Sequence, residues 1–178
     1  CCVDTDNDKI VNLNNNIMPI YEPGLSNLVK KNKDAGRLSF SNDIENNIKK
    51  ADVIFIAVGT PTRRGDGHAD LTYIYEAAKL IGKNLNGYTV IVTKSTVPVG
   101  TGIQVKKIIK KANPHAHFDI VSNPEFLREG NAIGDFMKPD RVVVGLENEK
   151  AKEAMTFIYK PLYLIQTPII FTDLNTAE

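Results

Sequence analysis

The stretch DVIFIAVGTP, residues 52–61, decides how the rest of the chain is read. From Val53 to Val58 it is apolar without a break, rich in β-branched residues, and too short for a typical globular helix. A continuous rather than alternating run predicts a strand buried on both faces, the signature of a parallel sheet covered by helices. Ligands of such sheets bind at the carboxyl ends of the strands. Gly59, Thr60 and Pro61 fall at that end: the glycine admits close approach of a ligand to the backbone, and Thr60 offers a hydroxyl.

Outward from this strand the same pattern recurs. CCVD, TVIVTKS, FDIVSN, RVVVG and PIIFT are further apolar runs of strand length, with helical patterns in most of the intervals. YIYEAAKLIGKNL places Ile74, Ala77, Ala78, Ile81 and Leu85 at helical spacing, and VGTGIQVKKIIKKA and KAKEAMTFIYK behave likewise. Strand and helix in alternation predict a doubly wound, mostly parallel, Rossmann-like α/β sheet. Three consecutive strand ends, at Asp4, at GTP and at KSTVP with Lys94, Ser95 and Thr96, are expected to converge on one crevice. Asp4 suits the two hydroxyls of an adenosine ribose and so favours NAD over NADP, although a strand-end Asp serves equally as a turn or capping residue.

SNPEFLREG, Ser122 to Gly130, follows another strand and carries two acids. If Asn123 caps a short helix, Pro124 opens it and Gly130 ends it, then Glu125 and Glu129 share one face and repel by a few tenths of a kcal/mol. The positive end of a helix accounts for Glu125; Glu129, near the negative end, needs another reason.

Composition sets the bounds. With 178 residues, 42% apolar and 24% charged, the chain suits one globular domain with a real core. A net charge of +1 gives no reason to expect nucleic acid or a membrane surface as partner, and no run is long enough to span a bilayer. Cys1 and Cys2 are adjacent, so they form no disulfide framework; they read as residues of a buried strand in a cytoplasmic protein. His115 and His117 in a polar loop make no metal site, and the lysines of KKIIKK, 106–111, read as a solvated helix face. VGTGIQV resembles a glycine fingerprint, but Val105 stands where its third glycine belongs. The real fingerprint should lie about 20 residues before Asp4. The chain therefore reads as part of a longer protein, its residues 1–178 a partial N-terminal NAD-binding domain without the first strand and glycine-rich loop.

Taken in order, CVDTDNDKI, PIYEPGL (Pro19 to Leu25), AVGTP, GDGHADLTYI, KSTVPVG, SNPEFLREGNAIGDFMKPDRVVVG and NTAE resemble the NAD-binding domain of the UDP-glucose/GDP-mannose dehydrogenase family over essentially the whole chain. YEPGL and the NPEFLREG…PDRVVVG block resemble the UDP-glucose branch more than the GDP-mannose or UDP-N-acetylmannosamine branches. The resemblance implies oxidation of UDP-glucose to UDP-glucuronate by two hydride transfers to NAD through a cysteine thioester. It implies that Asp4 and Lys9 hold the adenosine ribose, and that Thr60 and Thr96 line the cofactor and active site. Glu125 would be the base for thioester hydrolysis, with Phe126, Leu127 and Glu129 lining the UDP-sugar or cofactor cleft. The nucleophilic cysteine is neither Cys1 nor Cys2, and the helical and UDP-binding domains of the family would follow Glu178, in a parent expected to be a homo-oligomer. A sister specificity, or a non-catalytic nucleotide-binding module in which both glutamates are structural, are the competing readings.

Overall fold

The computed structural model describes residues 1–63, 65, 67–163 and 167–178. In chain order the elements are β1 (Cys2–Val3), α1 (Asn7–Asn14), α2 (Leu25–Asp34), β2 (Phe40–Ser41), α3 (Ile44–Lys49), β3 (Val53–Ile56), α4 (Thr72–Asn84), β4 (Tyr88–Thr93), α5 (Thr101–Ala112), β5 (His117–Ser122), α6 (Ala132–Met137), β6 (Val142–Gly145), α7 (Glu149–Tyr163), β7 (Ile169–Thr172) and α8 (Leu174–Ala177). They form two compact units, one of Cys1–Asn47 with Phe126–Pro139, the other of Ile48–Glu125 with Asp140–Glu178. No helix among the described residues is long and apolar enough to cross a membrane.

The larger unit holds a five-stranded sheet in the order β3-β4-β5-β6-β7. β3, β4 and β5 run parallel in register, Ile56 beside Thr93 and Thr93 beside Ser122, so their carboxyl ends lie along one edge. β6 and β7 are parallel to each other, but β6 meets β5 antiparallel through the single pair Ser122 and Gly145. On one face Val90, Val92, Val121, Val142 and Val144 pack against Ala151, Met155, Tyr159 and Leu162 of α7. α4 buries Ile74, Ala78 and Ile81, and α5 buries Val105 and Ile109. Each of the buried Val, Ile, Leu and Met side chains contributes about 1.5–3 kcal/mol by leaving water.

Two glycines set distances that larger residues would break. A Cβ at Gly82 would stand 3.0 Å from Ala112 Cβ, so α4 and α5 touch backbone to backbone. At Gly145 a Cβ would meet Ala177 Cβ at 2.5 Å and Asp173 O at 2.7 Å, which lets α8 lie directly on β6.

In the smaller unit β1 and β2 form a two-stranded parallel sheet. Cys1 and Cys2 are exposed, contrary to the expectation of a buried strand, because β1 is two residues long and among the described residues pairs only with β2. The helix expected over residues 123–130 does not form; those residues are irregular, with a turn at Glu129 and Gly130. The physical reason lies with Asn123. Its side chain caps no helix, since Nδ2 donates to Val143 O at 2.7 Å and Oδ1 accepts from the Tyr159 hydroxyl at 2.5 Å. The pairing of strands and α7 outbids a local cap, and the helix starts later, at Ala132.

Candidate functional site

At the end of β1, Asp4 does two things at once. Its Oδ1 accepts the Asp6 N–H at 3.0 Å, an Asx turn that feeds the chain into α1, while Asp6 caps that helix through the Lys9 N–H. Its Oδ2 takes the Lys9 ammonium at 2.7 Å. The Lys9 hydrogen bond, with the Asp6 amide behind it, holds the carboxyl below the usual range. Turn residue and ligand candidate are thus the same residue. A carboxylate has about four lone-pair positions, so these bonds leave it room to accept a ligand hydroxyl. The side chain is 34% exposed and can be reached.

In the larger unit the edge of the sheet carries the second group. Thr60 Oγ1 donates to Thr96 O at 3.2 Å, and Ser95 Oγ to Val58 O at 2.6 Å, so the loops after β3 and β4 are laced by hydroxyls. Nothing lies within 4 Å of where a Cβ would stand on Gly59, which leaves the backbone there open to a ligand. Asp66 of the GDGHADLTYI stretch lies outside the described residues.

Lys94 stands at the same edge. Its Nζ is 3.4 Å from Asn123 Oδ1 and 3.5 Å from the Tyr159 hydroxyl, both long contacts within a buried polar cluster. Burial pushes the ammonium's pKa down, and the charge of Glu125 opposes that shift. The charge of the expected base thus acts on a half-buried cation. Asn123 and Tyr159 were not legible from sequence: Tyr159 lies on a helix face with nothing to mark it, and Asn123 read as a cap.

The unit boundary falls between Glu125 and Phe126, so Phe126, Leu127 and Glu129 belong with the smaller unit. All three are exposed. The loop that presents them is held by two acids of its own unit. The Arg128 guanidinium pairs with Asp135 through Nε at 3.0 Å and NH2 at 2.7 Å, and the Gly130 N–H donates to Glu22 at 2.9 Å.

The VGTGIQV stretch has its own explanation. Gly100 and Gly102 do open a helix, but their amides donate to the two carboxylate oxygens of Glu178, each at 2.6 Å. An anion already fills this helix N-terminus, so it is no pyrophosphate site.

Parallel strands β3, β4 and β5 ending on one edge, with an open glycine and laced hydroxyls there, define a Rossmann-like α/β domain. More narrowly, residues 1–163 match the model of the UDP-glucose/GDP-mannose dehydrogenase family, NAD binding domain, and the chain belongs to that family. It is 56% identical over 179 residues to the UDP-glucose 6-dehydrogenase of Rhizobium meliloti, covering 99% of this chain and 41% of that protein. The fold matches a UDP-glucose dehydrogenase from the archaeon Pyrobaculum islandicum with a TM-score of 0.92 at 36% identity, over 98% of this chain and 40% of that one. A GDP-mannose dehydrogenase from Pseudomonas aeruginosa matches with the same TM-score, 0.92, at 34% identity, over 98% and 41%. The chain thus spans well under half the length of these relatives. The family's domain binds NAD.

Proposed function

We propose that this chain is the NAD-binding part of an enzyme that oxidises UDP-glucose to UDP-glucuronate. The observation that carries the reading is the sheet edge where the hydroxyls of Thr60 and Ser95 lace the loops after β3 and β4 and the half-buried Lys94 stands beside them. An acid at such an edge is within reach of a ligand bound at the strand ends, as a general base must be. Asp4 and Lys9 hold the adenosine ribose, and the negative charge of Asp4 disfavours a 2′-phosphate. Bound NAD supplies a hydride acceptor. By resemblance to the family, Thr60 and Thr96 line the cofactor and active site, and Phe126, Leu127 and Glu129 the UDP-sugar or cofactor cleft.

Glu125 takes a proton from the water that hydrolyses a thioester on a cysteine of the longer protein. That cysteine is neither Cys1 nor Cys2. The identity of 56% to a UDP-glucose enzyme, against 34% to a GDP-mannose enzyme, supports UDP-glucose as the sugar.

The test is Glu125→Gln in the longer protein. Both oxidations precede hydrolysis, so one burst of NADH should survive while steady turnover falls by about 10²–10⁴. A covalent substrate adduct should then appear as added protein mass. Normal turnover by Glu125→Gln would leave the non-catalytic nucleotide-binding module as the better reading.

A further inference from the structure

The segment Pro19 to Leu25 carries the sequence PIYEPGL, for which the reaction as read above has no use. Its geometry is definite. The Leu25 N–H donates to Glu22 O at 3.1 Å, and Gly24 sits at φ 84°, ψ −9°, the third position of a type II turn with Pro23 before it. The turn starts α2 and turns the Glu22 side chain inward, where only 9% of the residue is exposed. Glutamates are seldom so buried unless paired, because an ion loses its hydration there. The carboxylate of Glu22 accepts the Gly130 N–H, from 108 residues further along the chain.

Gly130 is at φ +85°, in the left-handed region, so the loop bends sharply where Glu22 holds it. On the other side of Glu129, the Arg128 N–H donates to Asp135 Oδ2 at 3.0 Å, and Asn131 Nδ2 donates to Asp135 Oδ1 at 2.7 Å. The Arg128 carbonyl accepts the Asn131 N–H at 3.1 Å. The peptide plane before Glu129 is thus held through its carbonyl and the plane after it through the Gly130 N–H, so the exposed side chain leaves the loop in a set direction.

We propose that Glu22 is a positioning residue: through the Gly130 amide it sets the aim of Glu129, and with it the affinity of the site for the nucleotide sugar. This rests on the reading of Glu129 as a cleft-lining acid. It gives the Glu-Pro-Gly turn a function in binding, exerted through the loop and without contact to the substrate.

The experiment is a double-mutant cycle in the longer protein, with hydrogen exchange of the Gly130 amide as a second readout. Glu22→Ala should raise KM for UDP-glucose about tenfold, the size of one lost charge-assisted hydrogen bond, with kcat less affected. Glu22→Gln keeps an acceptor oxygen and should restore most of the affinity. Exchange at Gly130 should quicken about tenfold in Glu22→Ala while amides of β4 and β5 keep their protection. Adding Glu22→Ala to Glu129→Gln should cost little more, because the first acts through the second. If Glu22→Ala fails to fold, Glu22→Asp keeps the charge and the turn but withdraws the oxygen from the amide, and must still raise KM. Full additivity with Glu129→Gln, or unchanged Gly130 exchange, overturns the proposal alone. A kinetically silent Glu129→Gln overturns the reading of Glu129, and the proposal with it.

Discussion

Asp4 shows how one side chain serves a turn and a ligand together. Since Lys9 and the Asp6 amide lower its pKa, the sign of its pH dependence follows: the ion pair is intact above the unfolded value near 3.9 and is lost as pH falls through the lower folded value. NMR titration should therefore place the Asp4 midpoint below about 3.9, and Lys9→Met should move it upward. Asp4→Asn should weaken NAD binding about tenfold, the low end for bonds to a charged group because the carboxylate is partly solvated, and should narrow the preference over NADP. Calorimetry with both cofactors checks this; an unchanged ratio would leave Asp4 a turn residue only. Thr93 presents the opposite case, a hydroxyl buried at the end of β4 without a hydrogen-bond partner. Thr93→Val keeps the shape and removes the unpaired group, so the midpoint of urea unfolding should rise, by about 1 kcal/mol of stability. A loss of stability would show that the hydroxyl has a partner in solution.

At the scale of elements, the join of α5 to α8 rests on a single carboxylate. Glu178 supplies both its oxygens to the amides of Gly100 and Gly102, and a Cβ at Gly102 would come within 2.9 Å of one of them. The glycine is there so that the acid can approach. Glu178→Gln leaves one acceptor oxygen for two amides and removes the charge that the helix N-terminus favours. The longer protein should lose about 1.5–3 kcal/mol of stability in denaturant unfolding, the worth of a hydrogen bond to a charged group. An unchanged midpoint would mean that water replaces the bond without loss. The loops after β3 and β4 are joined differently, by neutral hydroxyls, each worth about 1 kcal/mol, which leaves them more easily opened than the helix join.

For the whole molecule, burial is unevenly shared. The largest fully buried side chains, among them Ile74, Ile91, Ile109, Ile120 and Met155, all belong to the larger unit. The smaller unit has a two-stranded sheet of two-residue strands and leaves Val3, Val11, Ile17, Ile20 and Tyr21 exposed. Native-state hydrogen exchange should accordingly find the slowest amides in β4 and β5, and those of β1 and β2 exchanging through smaller openings. Equal protection in β1 and β4 would contradict this ranking.

The strands were legible in the chain because their apolar residues cluster in short runs, but the burial on both faces expected of DVIFIAVGTP belongs to β4 instead: β3 ends the sheet order among the described residues, with Phe55 40% exposed and only Ile56 buried. The long helices α4, α5 and α7 were legible for a similar local reason, their apolar residues recurring at helical spacing. Of the three strand ends expected to converge, those bearing Thr60 and Thr96 lie on one edge because β3 and β4 are parallel neighbours, whereas Asp4 closes β1 in the other sheet. β2, two residues long, had no run to betray it. The supposed helix at SNPEFLREG failed because a cap is a local preference of about 1 kcal/mol, whereas Asn123 makes bonds to β6 and α7 that no window of sequence contains. The hold of Glu22 on Gly130 and the Glu178 carboxylate on α5 join residues 108 and up to 78 positions apart. Local propensity fixes where the backbone runs straight or coils; which polar groups meet in the interior is decided only when the chain closes on itself and every buried donor must find an acceptor.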